Sequence, residues 1–497
     1  MLTKHILIAS KVLTLGAIAM ACPTNGFAQS ESPDPASDAS PYNSPATNAS
    51  VDSLKIPVPA TTNEEVPTIL NSFAPVAGGW TAESVAAKAV TVAPSVDKEH
   101  ASALYAESIA RHTKGAFYPR VDLTMRYTRL GKVATPPLDF GGMSFPNPFP
   151  QILNHYATGV TATVPVSDLF LSILPSYRGA QAFANAARYK ELVEKETVAL
   201  RAREAYYRHA QTRAAKQVAQ DGVRLLEAYV VDLESLVGAG VASKPDLSDA
   251  RAQLAQAKVG LAQVQAGVQV TGVILRRMLN LPSDAELVLG EGLADSGSVR
   301  VPSSSNELLR QAMAQRPEVK ALRAVVRGQK KLVKSKQAGG LPHLLLQGNV
   351  NYNNPNTRVI PLQDEFSTAW DINLLVTWSP NDYTTSKRES ERAEFDVAKT
   401  EADLRALEDG LAIAAVSALS EYTTALQAIS AAKEGVAAAE AGYRARRDLL
   451  AAGSASSTEV LNAETRLRRS QLELIDTHVN LRIAQAKLIH VVGEAAP

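Results

Sequence analysis

Only one cysteine, Cys22, occurs in the 497 residues, and it lies close to the N-terminus. The rest of the chain has no thiol, which excludes disulfides and thiolate metal sites there. Aromatic residues make up 5% of the chain, too few for a core built on large rings, and alanine is abundant in their place, as in long helices packed through small side chains. An excess of one charge is missing too. Lys and Arg number 51 against 50 Asp and Glu, and no basic block stands out, so nothing points to a nucleic-acid partner. The 8 histidines are scattered, with no His-Glu-x-x-His spacing and no phosphate-cradling glycine loop. No catalytic set, metal or cofactor is therefore expected, and the abundant Asp and Glu read as solvated helix faces. Finally, no run reaches the roughly 18 apolar residues of a transmembrane helix.

What is present begins with a leader. Lys4, His5 and Lys11 flank the start of an apolar run, Val12 to Ala21, and Gly26-Phe27-Ala28 follows. This is the form of a secretory signal peptide, 1–28, cut after Ala28; the run is too short to anchor the chain in a bilayer. A competing cut at Cys22 stays open, because Ala19-Met20-Ala21-Cys22 resembles a lipid-attachment box without its usual large aliphatic residue. Residues 29–75 are rich in Pro, Ser, Asp, Asn and Thr and read as a disordered or loosely attached arm. An exported chain with no spanning helix is either soluble or enters a membrane as strands.

Beyond the arm the sequence repeats itself. Ala89, Pro94, Val96 and Pro119 recur as Ala312, Pro317, Val319 and Pro342, an offset of 223. Gly222-Val223, Gly240, Ala242-Ser243, Ala250 and Leu254 recur as Gly435-Val436, Gly453, Ala455-Ser456, Ala463 and Leu467, an offset of 213. The extra residues of copy one fall in the Pro/Phe/Gly-rich loop around 131–155, against a shorter loop at 353–365. Two repeats follow, 76–302 and 303–497, each read as helix, strand, loop, strand, long helix, tight turn, helix. Proline is absent between Pro175 and Pro245, between Pro245 and Pro282, and between Pro380 and Pro497, which permits very long helices. The last helix of each copy carries a heptad. Leu247, Leu254, Leu261, Val268 and Leu275 pair with Ala250, Ala257, Val264, Thr271 and Met278. Val460, Leu467, Leu474, Leu481 and Leu488 pair with Ala463, Ser470, Thr477, Ala484 and Val491. A strict seven-residue repeat imposes a left-handed supercoil.

The strands separate a membrane protein from an ordinary coiled coil. From Phe366, alternate residues are Phe366, Thr368, Trp370, Ile372, Leu374, Val376 and Trp378, interleaved with Ser367, Ala369, Asp371, Asn373, Leu375 and Thr377. Leu344, Leu346, Gly348, Val350 and Tyr352 alternate with His343, Leu345, Gln347, Asn349 and Asn351, and Val121, Leu123, Met125 and Tyr127 alternate with polar neighbours; a fourth strand, about Tyr156 to Val164, alternates more weakly. Outer-membrane strands run about 9–11 residues. Trp370 and Trp378 lie about 27 Å apart along one face at ~3.4 Å per residue, the separation of two aromatic rims of an apolar band. Four strands cannot close a membrane barrel, so other copies of the chain must complete it.

Over about residues 76–497 the pattern resembles the TolC-like outer-membrane efflux protein family. The motifs that carry the resemblance are Leu236-Val237-Gly238-Ala239-Gly240-Val241-Ala242-Ser243 and Leu449-Leu450-Ala451-Ala452-Gly453-Ser454-Ala455-Ser456, each followed by a heptad helix. It implies an α+β membrane protein, internally duplicated, in which a homotrimer with four strands per chain forms a transmembrane β-barrel that continues as a long coiled-coil helical barrel. It also implies an exit duct in the cell outer membrane, reaching into the periplasm and serving a tripartite efflux or type I export system. A periplasmic adaptor (membrane-fusion) protein and an inner-membrane transporter are the implied partners, alongside outer-membrane lipid. By the same resemblance Leu236, Gly240, Ser243, Leu449, Leu450, Gly453 and Ser456 form adaptor-docking tips, and Glu459 and Asn462 the periplasmic gate. Asn462 departs from the acidic residue usual there, and Ser456-x-x-Glu459 also reads as a helix-capping box. Trp370, Ile372, Leu374, Val376 and Trp378 form the lipid-facing strand. A soluble periplasmic coiled-coil adaptor or scaffold is the competing reading; it has no use for paired apolar-faced strands in each half.

Overall fold

The computed structural model describes residues 76–134, 138–145, 151–240, 242–292, 304–452 and 454–493. The signal segment, Cys22, the 29–75 arm, Val241 and Gly453 lie outside them.

In copy one, Thr81 caps α1 (Ala82–Val92) by accepting from the Ser84 amide, and the helix stops at Ala93, which is extended. Pro94 is the cause: the residue before a proline is driven out of the helical region, while proline itself suits a first helical turn. Thus α2 (Pro94–Gly115) starts immediately. Strand β1 (Arg120–Arg129) follows, then a small hairpin, β2 (Leu138–Phe140) and β3 (Met143–Phe145), and then β4 (Asn154–Pro165). A helical turn at Val166–Asp168 and a π-helical turn at Leu169–Ile173 lead into α3 (Leu174–Gly238), and α4 (Lys244–Met278) returns.

Copy two repeats the order. Helix α5 (Ser305–Gln315) breaks at Arg316, before Pro317 opens α6 (Pro317–Ala338). Then come β5 (His343–Asn354), β6 (Ser367–Thr377), α7 (Pro380–Ala451) and α8 (Ser457–Val492). Two features differ from the sequence reading. Each copy opens with two helices where one was expected, and the long loop of copy one carries a hairpin.

The 72 residues of α7 extend about 108 Å at ~1.5 Å per residue. The four long strands form one antiparallel sheet in the order β1-β4-β5-β6. The helices keep the same order. Towards the sheet α2, α3, α6 and α7 pack side by side, and at the far end α4, α3, α8 and α7 do so. Each chain therefore makes four helical columns: α3 and α7 are single long rods, and the two others are α2 with α4 and α6 with α8.

The heptad residues point where the repeat requires. Ala250, Ala257 and Leu275 are buried, and Leu247, Leu254 and Leu261 pack half-buried against Leu226 and Leu233 of α3. In α8, Leu467, Leu474, Leu481 and Leu488 are all buried. At mid-length a belt crosses the columns. Trp80 pairs with Leu289 in a parallel bridge. Glu291 accepts from the Ala82 amide at 3.2 Å, from Tyr207 at 3.1 Å and from Arg482. Around it α1, Leu279 and Leu287 join the largest core. Among the described residues, no helix is long and apolar enough to cross a membrane.

Candidate functional site

Two ends of the molecule carry the residues singled out by sequence: the pair of tight turns and the sheet.

The first turn ends α3. The Ala239 and Gly240 amides close back on Ser235 and Val237, and the Ala242 amide reaches the Leu236 carbonyl at 3.2 Å. Gly240 has φ +77°, the left-handed conformation that favours glycine, although a Cβ there would meet nothing within 4 Å. Backbone strain, not crowding within the chain, is therefore what a side chain would bring. Ser243 caps α4: its hydroxyl accepts from the Asp246 amide at 3.3 Å and donates to the Asp246 carboxylate at 2.7 Å, and the Ser243 amide donates to the same carboxylate. This reciprocal box satisfies donors that a helix start otherwise leaves open.

The second turn closes the end of α7 with a shorter-range last bond. The Ala452 amide reaches the Asp448 carbonyl at 3.1 Å, and the Ser454 amide reaches that of Leu449 at 2.8 Å. Ser456 accepts from the Glu459 amide at 3.3 Å and donates to the Glu459 carboxylate at 3.1 Å. Glu459 thus occupies the capping position, with its carboxylate on the exposed surface beside the exposed Asn462. The leucines divide. Leu449 is 48% exposed. Leu236 and Leu450 instead lean against the helix pairs, one beside Leu233 and Ala250, the other beside Tyr443 and Val460. The two turns are tied together: Tyr229 of α3 packs on both clusters, and its hydroxyl donates to the Ser457 carbonyl at 3.4 Å.

Above the second turn lies a pair the sequence reading missed. Glu464 is buried, with the Arg468 Nε 2.7 Å away. Burial pushes the Glu464 carboxyl above its ordinary value, against the pull of Arg468. Gly222 makes the room: a Cβ there would sit 2.6 Å from the Arg468 side chain. The repeat of Gly222-Val223 as Gly435-Val436 was the available signal, but only the packing reveals Arg468 as the reason for the first glycine.

At the sheet, apolar residues gather on one face across all four strands. One row runs Leu123, Val160, Val350, Trp370, and another Val121, Ala162, Gly348, Ile372. Trp370, Ile372, Leu374, Val376 and Trp378 are all exposed, the first at 69%. Towards the strand-connecting loops, Tyr127, Tyr156, Phe366 and Tyr352 touch in succession with ring centroids 5.1–5.7 Å apart. At the helix end, the Trp378 indole donates to the Gly340 carbonyl at 3.2 Å. The opposite face is polar apart from the Leu345–Leu375 pair near the helices, and it is internally bonded: Thr161 donates to Asn349 at 2.9 Å, and Asn349 to Asp371 at 2.7 Å. This is the inverse of a soluble half-buried sheet. The sheet's outermost strands, β1 and β6, each have a neighbour on one side only.

The helical wall has open edges too. On α2, Leu104, Tyr105 and Ile109 are exposed; on α4, Val259, Val270 and Val273; and on α7, Phe395, Ile413 and Val416.

With this geometry in place, the comparisons are consistent with one another. The family model of the outer membrane efflux proteins matches residues 88–281 and again 308–494. Among solved structures, the outer-membrane channel OprN superposes with a TM-score of 0.70 at 16% identity, over 86% of this chain and 91% of that one. The outer membrane protein VceC from Vibrio cholerae gives 0.64 at 17%, over 84% and 97%. The MtrE outer membrane channel of Neisseria gonorrhoeae, in its open state, gives 0.66 at 15%, over 84% and 89%. At such identities these likenesses establish the fold alone. No curated protein sequence matches the chain.

Proposed function

The chain belongs to the outer membrane efflux protein family, a family of channels and not of enzymes, and we propose that it is the exit duct of a tripartite efflux or type I export system. It works as a homotrimer and as a passive conduit, for small toxic compounds or for secreted substrates. Residues 1–28 direct export and are removed, the sheet is set in the outer membrane, and the helical columns reach into the periplasm.

The observation that carries this reading is the inverted sheet. An apolar face of four strands, rimmed by aromatic rings and left uncovered, suits lipid, and a hydrogen-bonded polar face suits an aqueous lumen. Open strand edges are not tolerated in a bilayer, so β6 of one copy pairs with β1 of the next. Three copies give twelve strands and twelve columns. The exposed apolar edges of α2 and α4 on one side, and of α7 on the other, then meet between neighbours. A soluble scaffold gains nothing from such a sheet.

At the far end the two turns serve as docking tips for a periplasmic adaptor, which couples the duct to an inner-membrane transporter. Leu449, the most exposed of the three tip leucines, is the apolar contact, with Leu236 and Leu450 shaping the surface behind it. Gly240, Gly453, Ser243 and Ser456 hold the turns. Glu459 and Asn462 line the periplasmic gate, Glu459 serving as cap and gate carboxylate together.

Two measurements test the reading. The detergent-extracted chain should run as a trimer from outer-membrane fractions; a monodisperse monomer, soluble without detergent, would overturn the duct. Gly240→Val and Gly453→Val should leave trimers in the membrane while abolishing export and reducing adaptor cross-linking. Full export with normal cross-linking in both variants would remove the docking role from these turns, and loss of the trimer would assign the glycines to folding.

A further inference from the structure

The polar face of the sheet holds a charged arrangement that duct formation alone does not require. Asp122, Thr161, Asn349 and Asp371 are cross-strand partners in turn, so they form one level row across β1, β4, β5 and β6. Both ends of the row are carboxylates, and each has a guanidinium partner. Asp122 is paired within its own strand, with the Arg120 Nε 2.9 Å away. The partner of Asp371 comes from outside the sheet. Arg358 lies in the β5–β6 connection, and its guanidinium donates to Asp371 at 2.7 Å and to the Trp370 carbonyl at 3.0 Å.

The connection is built to place that guanidinium. Asn354 and Asn356 are buried. The Asn356 amide donates to the Ser367 hydroxyl at 2.8 Å, and its oxygen accepts from the Arg358 backbone at 3.0 Å. Asn356 therefore pins the start of the connection to the start of β6 and sets the direction in which Arg358 leaves. The other oxygen of Asp371 is held by Asn349 at 2.7 Å and by Asn373 at 2.6 Å. The carboxylate is thereby fixed on the polar face and charged, and Arg358 must cross onto that face to meet it.

We propose that Arg358 and Asp371 tune the charge selectivity of the strand-lined part of the pore. Arg358 acts as a tethered counter-charge that masks a ring of carboxylates, one from each copy, at the level of the Asp122–Asp371 row. Rings of charged side chains lining a pore bias permeating ions by sign. With the pair closed the level is nearly neutral; with Arg358 withdrawn it favours cations and cationic solutes. Copy one has an in-strand pair at the same level, so the variable charge belongs to copy two alone. The inference rests on the duct reading, which turns the polar face into a lumen.

The test is ion permeation through purified trimers in planar lipid bilayers under a potassium chloride gradient. Arg358→Gln should raise the potassium-to-chloride permeability ratio about twofold or more, and Asp371→Asn should lower it, as expected for a ring gaining or losing net negative charge. The double variant should return close to the parent. A pair that serves only to hold the loop moves both single variants in the same direction, or neither, and either result would overturn the proposal. A wild-type chain that forms no trimer and no conducting pore would bring down the duct reading itself, and this inference with it.

Discussion

Leu374 in β6 and Leu474 in α8 are the same side chain in opposite circumstances: the first is 67% exposed and the second 0%. The contrast extends to their surroundings. Around Leu474 the helical body follows the rule for proteins in water, with small apolar residues inside and charged residues outside, many of them in surface ion pairs such as Lys330–Glu401 and Lys336–Glu389. Around Leu374 the sheet turns its apolar residues outward and bonds its Asn, Thr and Asp to one another. The chain is continuous between the two regions, and on the duct reading both follow the same rule in different solvents. On the duct reading each face is chosen by what it touches, and the sheet's partner is lipid.

The comparison breaks most visibly at the two leucines themselves. Leu474→Ala should cost about 2–5 kcal/mol, the range for emptying a buried leucine site, whereas Leu374→Ala should change the stability of the detergent-extracted protein little. Thermal unfolding of both variants in the same detergent measures the difference. A charge sharpens it within the sheet. Arg at Leu374 or Ile372 should lower the amount of assembled protein, since a midplane Arg costs roughly 2–4 kcal/mol on an outer-membrane strand, while Arg at Asn373 should be tolerated. Equal losses from the two faces would reverse the assignment of inside and outside.

Acid should act on the helical body. Burial, with nearby cations, lowers His209, His478 and His490 from 6.5 to about 4. Their unfolded forms take up protons first, so their contribution is full above pH 6.5 and falls as pH drops from 6.5 towards 4. Glu196 works the other way. Burial and the neighbouring Glu318 raise it from 4.5 to about 7, so its contribution is lost as pH rises between those values. Three histidines against two raised glutamates, Glu196 and Glu464, predict a net loss of helical stability on acidification, measurable as a falling melting temperature by far-ultraviolet circular dichroism. A melting temperature flat from pH 7 to about 4 would contradict the burial of these rings. The smallest effect belongs to the caps. Ser243→Ala and Ser456→Ala should each cost about 1 kcal/mol, read as earlier hydrogen exchange at the starts of α4 and α8, with the sheet unchanged.

Much of this was legible because it is periodic. Alternation over Phe366–Trp378 and heptads from Leu247 and Val460 are local patterns, and a period of two or seven specifies a face before any partner is known. The cap at Ser456 was equally local, although the reciprocal box forms at Ser243 and Asp246. The breaks at Ala93 and Arg316 had their signal in Pro94 and Pro317, which the sequence reading used as repeat markers and not as helix boundaries. The pairs Arg358–Asp371, Glu464–Arg468 and Glu291–Arg482 were not legible. Each depends on where one side chain reaches after the fold is made, and no spacing rule encodes that. The same holds for the division among Leu236, Leu449 and Leu450, which are alike in sequence and differ only in what lies beneath them.

The matching order of strands and columns has a mechanical consequence. Neighbouring strands stand about 4.7–4.9 Å apart, and packed helices about 8–10 Å. A wall that assigns one column to every strand must therefore change gauge where the two join. On the duct reading, with strands tilted by ~40°, the helical circumference is about one and a half times that of the strands. The seam is where this flare is taken up. There β4 passes through a helical turn and the π-helical turn at Leu169–Ile173 before α3 begins. The same seam is cross-braced by Ser167 on the Leu344 amide at 2.9 Å and by Ser176 on Ser335 at 2.7 Å. The π-helical turn winds wider than an α-helix, and it stands where β4 gives way to the α3 rod, whereas β6 enters α7 across Trp378 and Ser379 alone.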